Sequence, residues 1–387
     1  MKKNKNVPKI RFEEFNEEWS KEKLRKLVDI FDGTHQTPKY TKNGVKFVSV
    51  ENIKSLETDK YISIDDFIKE YSSKRPQKGD VLMTRIGDIG TTNIVKSDEA
   101  LGYYVTLALL KPKKIDGIYL SYSINSKSVQ KDLWRRTLHI AFPKKINLGE
   151  IEKIEIKFPE LEEQIMIGNY FENLDNIISL QKQKYEKLLD LKKAMLNKLF
   201  PKEGEATPEI RFNGFTEDWG KRKIKDICSI SNGCMNTQDA KEKGMYPFFI
   251  RSEQVMKSDT YVYDEEAILT PGEGRIGEIF HYIDGKYTAH QRVYRLFNFI
   301  EEVFPTYLLH ELKNNFKKHA LQNSSTATAP SIRMGTIADY EFMLPNLDEQ
   351  KAIGEYFSRL DNLINLNKEK LDKLKNVKSS LLDNMFV

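Results

Sequence analysis

The chain has 387 residues, more than one compact domain ordinarily holds, so two or three domains are expected. Its 62 Lys+Arg against 57 Asp+Glu leave a net charge of +5, so any basic surface has to be local. With 39% apolar residues, 21 Phe and 18 Tyr, wholesale disorder is excluded, and no apolar run reaches bilayer-spanning length.

The basic start, residues 1–5, is followed by no apolar signal segment, so a cytoplasmic protein with no membrane partner is expected. Residues 8–30 (PKIRFEEFNEEWSKEKLRKLVDI) return at 208–230 with 10 identities in 23 positions. A tandem repeat is therefore the first organising fact. Residues 31–157 mix strand-like runs at 44–50 and 80–84 with turn signals at Asp32-Gly33 and Lys78-Gly79, and a helical stretch near 120–136. Polar residues suited to DNA gather in its loop-like parts: Gln36, Arg85, Thr91, Thr92 and Asn93. Arginine reads guanine edges, Asn and Gln read adenine, and Thr and Lys suit phosphates.

Residues 158–200 carry abundant Leu, Lys, Glu and Gln, which favour helix, with Gly168 as the one internal breaker after Pro159. Apolar residues at alternating spacings of three and four (Phe171, Leu174, Ile178, Tyr185, Leu188, Met195, Leu199) predict a coiled-coil seam, interrupted by Gln181 and Lys192. Those two polar positions either tune register and partner or lie at a solvated margin. Glu162, Glu163 and Gln164 are read as first-turn complements to the helix dipole.

The second copy follows. Residues 231–343 show strand-like runs at 246–250 and 266–270, a helical stretch near 304–321, and the polar set Asn236, Gln238, Arg251, Arg275, His290, Gln291, Arg292 and Arg333. Arg85 and Arg275 stand out because both copies keep an Arg-Ile-Gly turn, 84–90 against 273–279, as base contacts or as structural hairpin residues. Residues 344–386 then repeat 158–200 with 20 of 43 positions identical, giving the seam Phe357, Leu360, Ile364, Leu371, Leu374, Leu381 and Met385, interrupted by Asn367 and Lys378.

The predicted fold is α+β: a module at 1–157, a long helix at 158–203, a second module at 204–343 and a second long helix at 344–387. The helices are expected to pair as an antiparallel coiled coil. At about 1.5 Å per residue each would be about 57 Å long, enough to act as a ruler between two readers.

No catalytic constellation emerges. Residues 272–277 match G-x-G-x-x-G, but a strand-like run follows where a dinucleotide site requires a helix. Glu155 and Lys157 have nuclease-like spacing, yet the second copy has Glu341 and Met343 there. The six His show no ligand spacing, and Cys228 and Cys234 correspond to Val28 and Thr34, so neither metal nor disulfide is expected.

The paired P-x-x-R-F openings with Trp19 and Trp219, and the twice-present P-x-L-x-E-Q and L-D-x-x-I followed by a Lys-rich helix, resemble the specificity subunits of type I restriction-modification enzymes. The resemblance covers essentially the whole chain. It implies two target recognition domains reading the halves of a split site in double-stranded DNA. It further implies helices that carry two modification (methyltransferase) subunits, with restriction (translocase-nuclease) subunits joining further out. S-adenosylmethionine, ATP and Mg2+ would belong to those partners, with no cofactor in this chain. The competing readings are a DNA methyltransferase or nuclease with unrecognised motifs, and a purely structural coiled-coil scaffold.

Overall fold

The computed structural model describes residues 6–202, 204–325 and 330–387; the basic segment 1–5 lies outside them. The chain divides into two compact units, Met1–Lys182 with Lys370–Val387, and Gln183–Glu369.

In the first unit, β1 (Ser20–Lys23) pairs antiparallel with β9 (Glu155–Phe158), so the module's entry and exit strands lie side by side. The short α1 (Leu24–Leu27) leads into β2 (Val28–Asp32). The strands β3 (Val45–Val48), β4 (Tyr61–Ile62), β5 (Val81–Thr84), β6 (Thr92–Ile94), β7 (Leu101–Tyr103) and β8 (Leu107–Pro112) form two sheets, ordered β2-β8-β5-β6 and β4-β3-β7. All four residues of β5 are buried because side chains alternate between two cores. Val81 and Met83 join the cluster containing Trp19 and Phe171, whereas Leu82 joins the one containing Phe47 and Tyr103.

Between β3 and β5, α2 (Ile64–Tyr71) starts at Ser63, whose hydroxyl accepts from the Asp66 amide at 3.0 Å. The helical stretch predicted near 120–136 is two helices, α3 (Gly117–Ile124) and α4 (Lys127–Arg136), separated at Asn125 and Ser126. The short α5 (Leu148–Ile151) precedes β9, and α6 (Leu161–Leu199) follows it.

The second unit repeats the plan. Its strands are β10 (Gly220–Lys223), β11 (Ser229–Asn232), β12 (Tyr246–Phe249), β13 (Met256–Ser258), β14 (Tyr263–Pro271), β15 (His281–Ala289), β16 (Val293–Phe297) and β17 (Glu341–Leu344). β10 pairs with β17 as β1 does with β9, and the remaining six form one sheet, β11-β16-β14-β15-β12-β13. Its helices are α7 (Ile224–Ile227), α8 (Pro305–Gln322), α9 (Met334–Ala338) and α10 (Leu347–Met385).

Each unit closes its core with the start of one long helix and the end of the other. In the first, Phe171 meets Phe386 at 5.7 Å and Asp175 binds the Lys378 ammonium at 2.5 Å. In the second, Phe357 meets Phe200 at 5.8 Å and Asp361 binds Lys192 at 2.5 Å. One number rises as its partner falls, so the segments run antiparallel in both units, as predicted. The two seam lysines thus have defined partners, the aspartates of the two L-D-x-x-I motifs. Gln181 and Asn367 are 8% and 6% exposed, which places them inside the seam rather than at a solvated margin. Every other predicted seam position is buried or half-buried too.

Gly168 has a structural reason to interrupt a helix. A Cβ there would lie 3.2 Å from the Tyr119 amide, and one on Gly354 would lie 2.9 Å from the Tyr307 amide. Close approach of α3 and α8 offsets the roughly 1 kcal/mol that glycine costs in a helix interior.

Candidate nucleic-acid interface

The two sequence signatures of each copy form one fastener. Arg11 donates to both oxygens of Glu163, at 2.8 and 2.7 Å, and Arg211 does the same with Glu349 at the same distances. Both carboxylates are 1% exposed. The neighbouring side-chain amides bind the residues that open α3 and α8: Gln164 accepts from the Asp116 amide at 2.9 Å and Gln350 from the Phe304 amide at 2.8 Å. Glu163 therefore does more than complement the helix dipole; it locks residues 8–12 to the head of α6.

On this frame the strand-connecting loops are anchored at equivalent backbone points. Gly87 donates to the Lys144 carbonyl at 2.8 Å, and Gly274 to the Pro330 carbonyl at 2.9 Å. The Ile146 amide bonds to the Arg85 carbonyl, and the Ile332 amide to the Gly272 carbonyl, both at 2.9 Å. Gly87 and Gly274 have φ of 85° and 82°, and Gly90 and Gly277 have 89° and 69°. The structure consequently pairs Arg85 with Gly272, and Arg275 with Asp88. The Arg-Ile-Gly correspondence predicted from sequence is out of register by three residues.

That register explains Arg85, which is 7% exposed. It grips Asp32 with two bonds, at 3.0 and 2.9 Å, and donates to the Ile146 carbonyl at 3.3 Å. In the second unit Tyr294 occupies the space over Gly272, and its hydroxyl donates to the Ile332 carbonyl at 3.2 Å. Asp32 becomes Asn232, and Ala108 becomes Tyr294, at matching registers. Arg85 is thus a fastening between loops, not a group presented to solvent, which favours the structural of the two readings open from the sequence.

Of the other residues predicted in the first module, Gln36 is exposed in the loop after β2. Thr91, Thr92 and Asn93 are half-buried, and the side chains of Thr92 and Asn93 are engaged within the module. The Thr91 amide bonds to the Thr84 hydroxyl at 2.9 Å, Thr92 pairs with the Ser121 hydroxyl at 2.8 Å, and Asn93 donates to the Ile53 carbonyl at 2.8 Å.

The second module brings its predicted residues together more fully. Glu273 binds Arg251 at 2.9 Å and also pairs with Arg292. Arg275 binds Glu278 at 2.8 Å and Glu253 at 3.1 Å, and Lys317 shares Glu278 at 2.6 Å. Gln291 donates to the Asn236 side chain at 3.1 Å beside this cluster. The three guanidiniums are about half exposed, and hydrogen bonds to Glu278 and Glu253 raise the Arg275 pKa further. Exposed ion pairs are screened by solvent and contribute little, so exchanging a glutamate for a phosphate or guanine costs little.

Gln238 and Arg333 are exposed, whereas His290 is 5% exposed. Its Nδ1 accepts from the Arg292 amide at 3.0 Å, and burial holds its pKa below the usual value, so it supports the Arg292 backbone as a neutral ring.

Sequence reasoning missed the carboxylates that orient the arginines, and it missed the 138–145 hairpin. Glu253, Glu273 and Glu278 carry no signal beyond their nearness to Arg251 and Arg275 in the chain. The G-x-G-x-x-G stretch lies between β14 and β15, a strand-to-strand connection without the following helix a dinucleotide fingerprint requires. Among the described residues no group of three or more His, Cys, Asp or Glu is placed to hold a metal ion.

A family model described as type I restriction modification DNA specificity domain matches the chain twice, at residues 16–190 and 216–376. The chain is 27% identical over 305 residues to the type I restriction enzyme MjaVIII specificity subunit of Methanocaldococcus jannaschii, covering 70% of each protein. It is 24% identical over 416 residues to the putative MjaX specificity subunit of the same organism, covering 98% of this chain and 96% of that one. Its fold resembles the S subunit of a type I restriction-modification system from M. genitalium, with a TM-score of 0.73 at 16% identity over 98% of this chain and 99% of that one.

Proposed function

The chain belongs to the type I restriction modification DNA specificity domain family, and from that premise we propose that it reads a split DNA target, one module per half. It is the specificity subunit of a type I restriction-modification complex, working with DNA and other subunits. One observation carries the reading: two units share a frame down to single hydrogen bonds while their loops present different side chains. A shared frame with divergent loops fits one task performed on two different sequences.

In the second half-site, Arg251, Arg275 and Arg292 would exchange their glutamates for guanine edges and phosphates, and Asn236 and Gln291 would read adenine. The partners assigned to the helices are two modification subunits. Exposed apolar residues recur at equivalent positions there, Ile177 and Leu180 on α6 and Leu363 and Leu366 on α10, which supports two like docking sites. Restriction subunits would join through those partners, which would also bring S-adenosylmethionine, ATP and Mg2+. The chain itself would take no chemical step, and its setting would be the cytoplasm.

The test is methylation mapping of DNA exposed to the assembled methyltransferase. Replacing residues 31–157 with another family member's module is expected to change one half of the methylated motif and leave the other intact. A motif that changes in both halves, or in neither, refutes the assignment, as does methylation or cleavage by the purified chain alone.

A further inference from the structure

The hairpin between α4 and α5 presents two large apolar side chains entirely to solvent. Ile140 is 99% exposed and Phe142 104%. The segment is nevertheless fixed to the module. Leu138 donates to the Lys145 carbonyl at 2.8 Å, Gly87 donates to the Lys144 carbonyl at 2.8 Å, and Ile146 donates to the Arg85 carbonyl at 2.9 Å. Through Arg85 and Asp32 the same anchor holds the loop that presents Gln36. The apolar tip therefore shares a rim with a candidate reading loop.

Within the segment itself the charge has one sign. Residues 133–149 hold Arg135, Arg136, His139, Lys144 and Lys145 and no carboxylate. Arg136 is taken by Asp132 and Glu150, at 3.0 and 3.3 Å. Arg135, Lys144 and Lys145 are exposed and in no ion pair among the described residues, and the Lys144 ammonium lies 4.8 Å from the centre of the exposed Trp134 ring. Cations flanking an exposed aromatic tip match a polyanion with stacked apolar interiors. That is duplex DNA, in which apolar side chains enter base steps and basic ones hold the adjoining phosphates.

We propose that this hairpin is a DNA wedge, in which Phe142, backed by Ile140, enters a base step at the first half-site while Lys144 and Lys145 hold the flanking backbone. The proposal rests on the DNA-reading function above. It is also confined to one module. The equivalent stretch of the second copy, from Ser324 to Ser331, has the sequence SSTATAPS, with neither a large apolar residue nor a cation. Any unstacking should therefore be asymmetric between the half-sites.

The experiment uses the chain assembled with its modification subunits and a duplex carrying the motif mapped by methylation, with 2-aminopurine stepped through both half-sites. The wild-type complex is expected to raise fluorescence at one step of the first half-site only. Phe142→Ala should abolish that rise and weaken binding roughly tenfold, the scale of one base–aromatic stacking contact. Lys144→Ala with Lys145→Ala should weaken binding and flatten its salt dependence while leaving the stacking signal at saturation.

If Phe142→Ala leaves affinity and fluorescence unchanged in a complex that still selects its site, the wedge is refuted and the reading function stands. If it releases a modification subunit instead, the hairpin is a protein contact and the proposal falls. A wild-type complex that shows no preference for the motif overturns both.

Discussion

Glu349→Ala tests whether the signature residues act as one fastener. The carboxylate is 1% exposed and accepts three hydrogen bonds, two from Arg211 and one from the Trp219 indole at 3.0 Å. Truncation strands a guanidinium that is 16% exposed together with a buried indole N–H. Removing one partner of a buried ion pair costs about 3–5 kcal/mol. The first unit supplies an internal control. Glu163 is equally buried and holds Arg11 with the same two bonds, but the Trp19 indole N–H is buried without a partner. Glu163→Ala therefore loses one hydrogen bond fewer, and a bond to a charged group is worth about 1.5–3 kcal/mol. Because two units preclude a two-state analysis of the whole chain, the readout is native-state hydrogen exchange at matched amides. These are Leu24, bonded to the Ile154 carbonyl, and Ile224, bonded to the Tyr340 carbonyl. Exchange at Ile224 in Glu349→Ala should accelerate at least tenfold more than exchange at Leu24 in Glu163→Ala. Equal acceleration, or the reverse order, refutes the reasoning.

Glu273→Ala frees Arg251 and Arg292 from their shared carboxylate. In competition binding, preference for the second half-site should fall roughly tenfold, within the 1–3 kcal/mol of a bidentate base contact, while non-specific affinity rises; unchanged preference counts against the cluster. Arg85→Ala leaves Asp32 without its guanidinium and should destabilise the first unit by about 3 kcal/mol, measured by hydrogen exchange, with Arg85→Lys failing to restore the two-pronged grip. Glu311 is buried, its carboxyl pushed up to about 7 by desolvation against hydrogen bonds from Asn315 and Tyr340. A carboxylate raised in the folded state leaves stability intact below its unfolded value and erodes it as pH rises from about 4.5 to about 7. Glu311→Gln should flatten that slope and make the second unit more stable than wild type at pH 8; an unchanged pH profile would show that Glu311 is not ionising in the folded unit.

The frame was legible because its constraints are local or periodic. A seam spaced by threes and fours, and a signature repeated at matching distances, are visible without knowing what touches what. The purposes of Lys192 and Lys378 were hidden because their aspartates lie on the other helix, and sequence periodicity marks a position without naming its partner. The second role of Glu163, and that of Glu349, was hidden for the same reason: the arginines they bind precede them by 152 and 138 residues. The loops were the least legible part. Matching the letters Arg-Ile-Gly aligned the wrong residues, whereas the backbone retains two glycines of positive φ three residues apart. Positive φ is costly for residues with a Cβ, so those glycines are held by geometry while the arginine between them is free to change. Thr92 and Asn93 have the chemistry of DNA contacts, but only the fold reveals that Ser121 and the Ile53 carbonyl already occupy them.

The exchange at the loop anchor shows how two divergent reading surfaces remain on one frame. The carbonyl of residue 146 or 332 must be satisfied where the loops converge. In one unit Arg85 reaches it across the small Ala108 and is neutralised by Asp32; in the other Tyr294 reaches it across Gly272, and Asn232 carries no charge. Three positions have changed together, yet the backbone bonds on either side are equal to within 0.1 Å. An isolated change would strand either a half-buried carboxylate or an orphaned carbonyl, so the frame constrains the trio as a group. Beyond it, at Ile140 and Phe142 or at Arg275, side chains face solvent and carry no such obligation. Specificity can therefore drift at the rim while the anchor changes only by concerted substitution, which is why the copies keep their architecture and share almost none of their exposed loop chemistry.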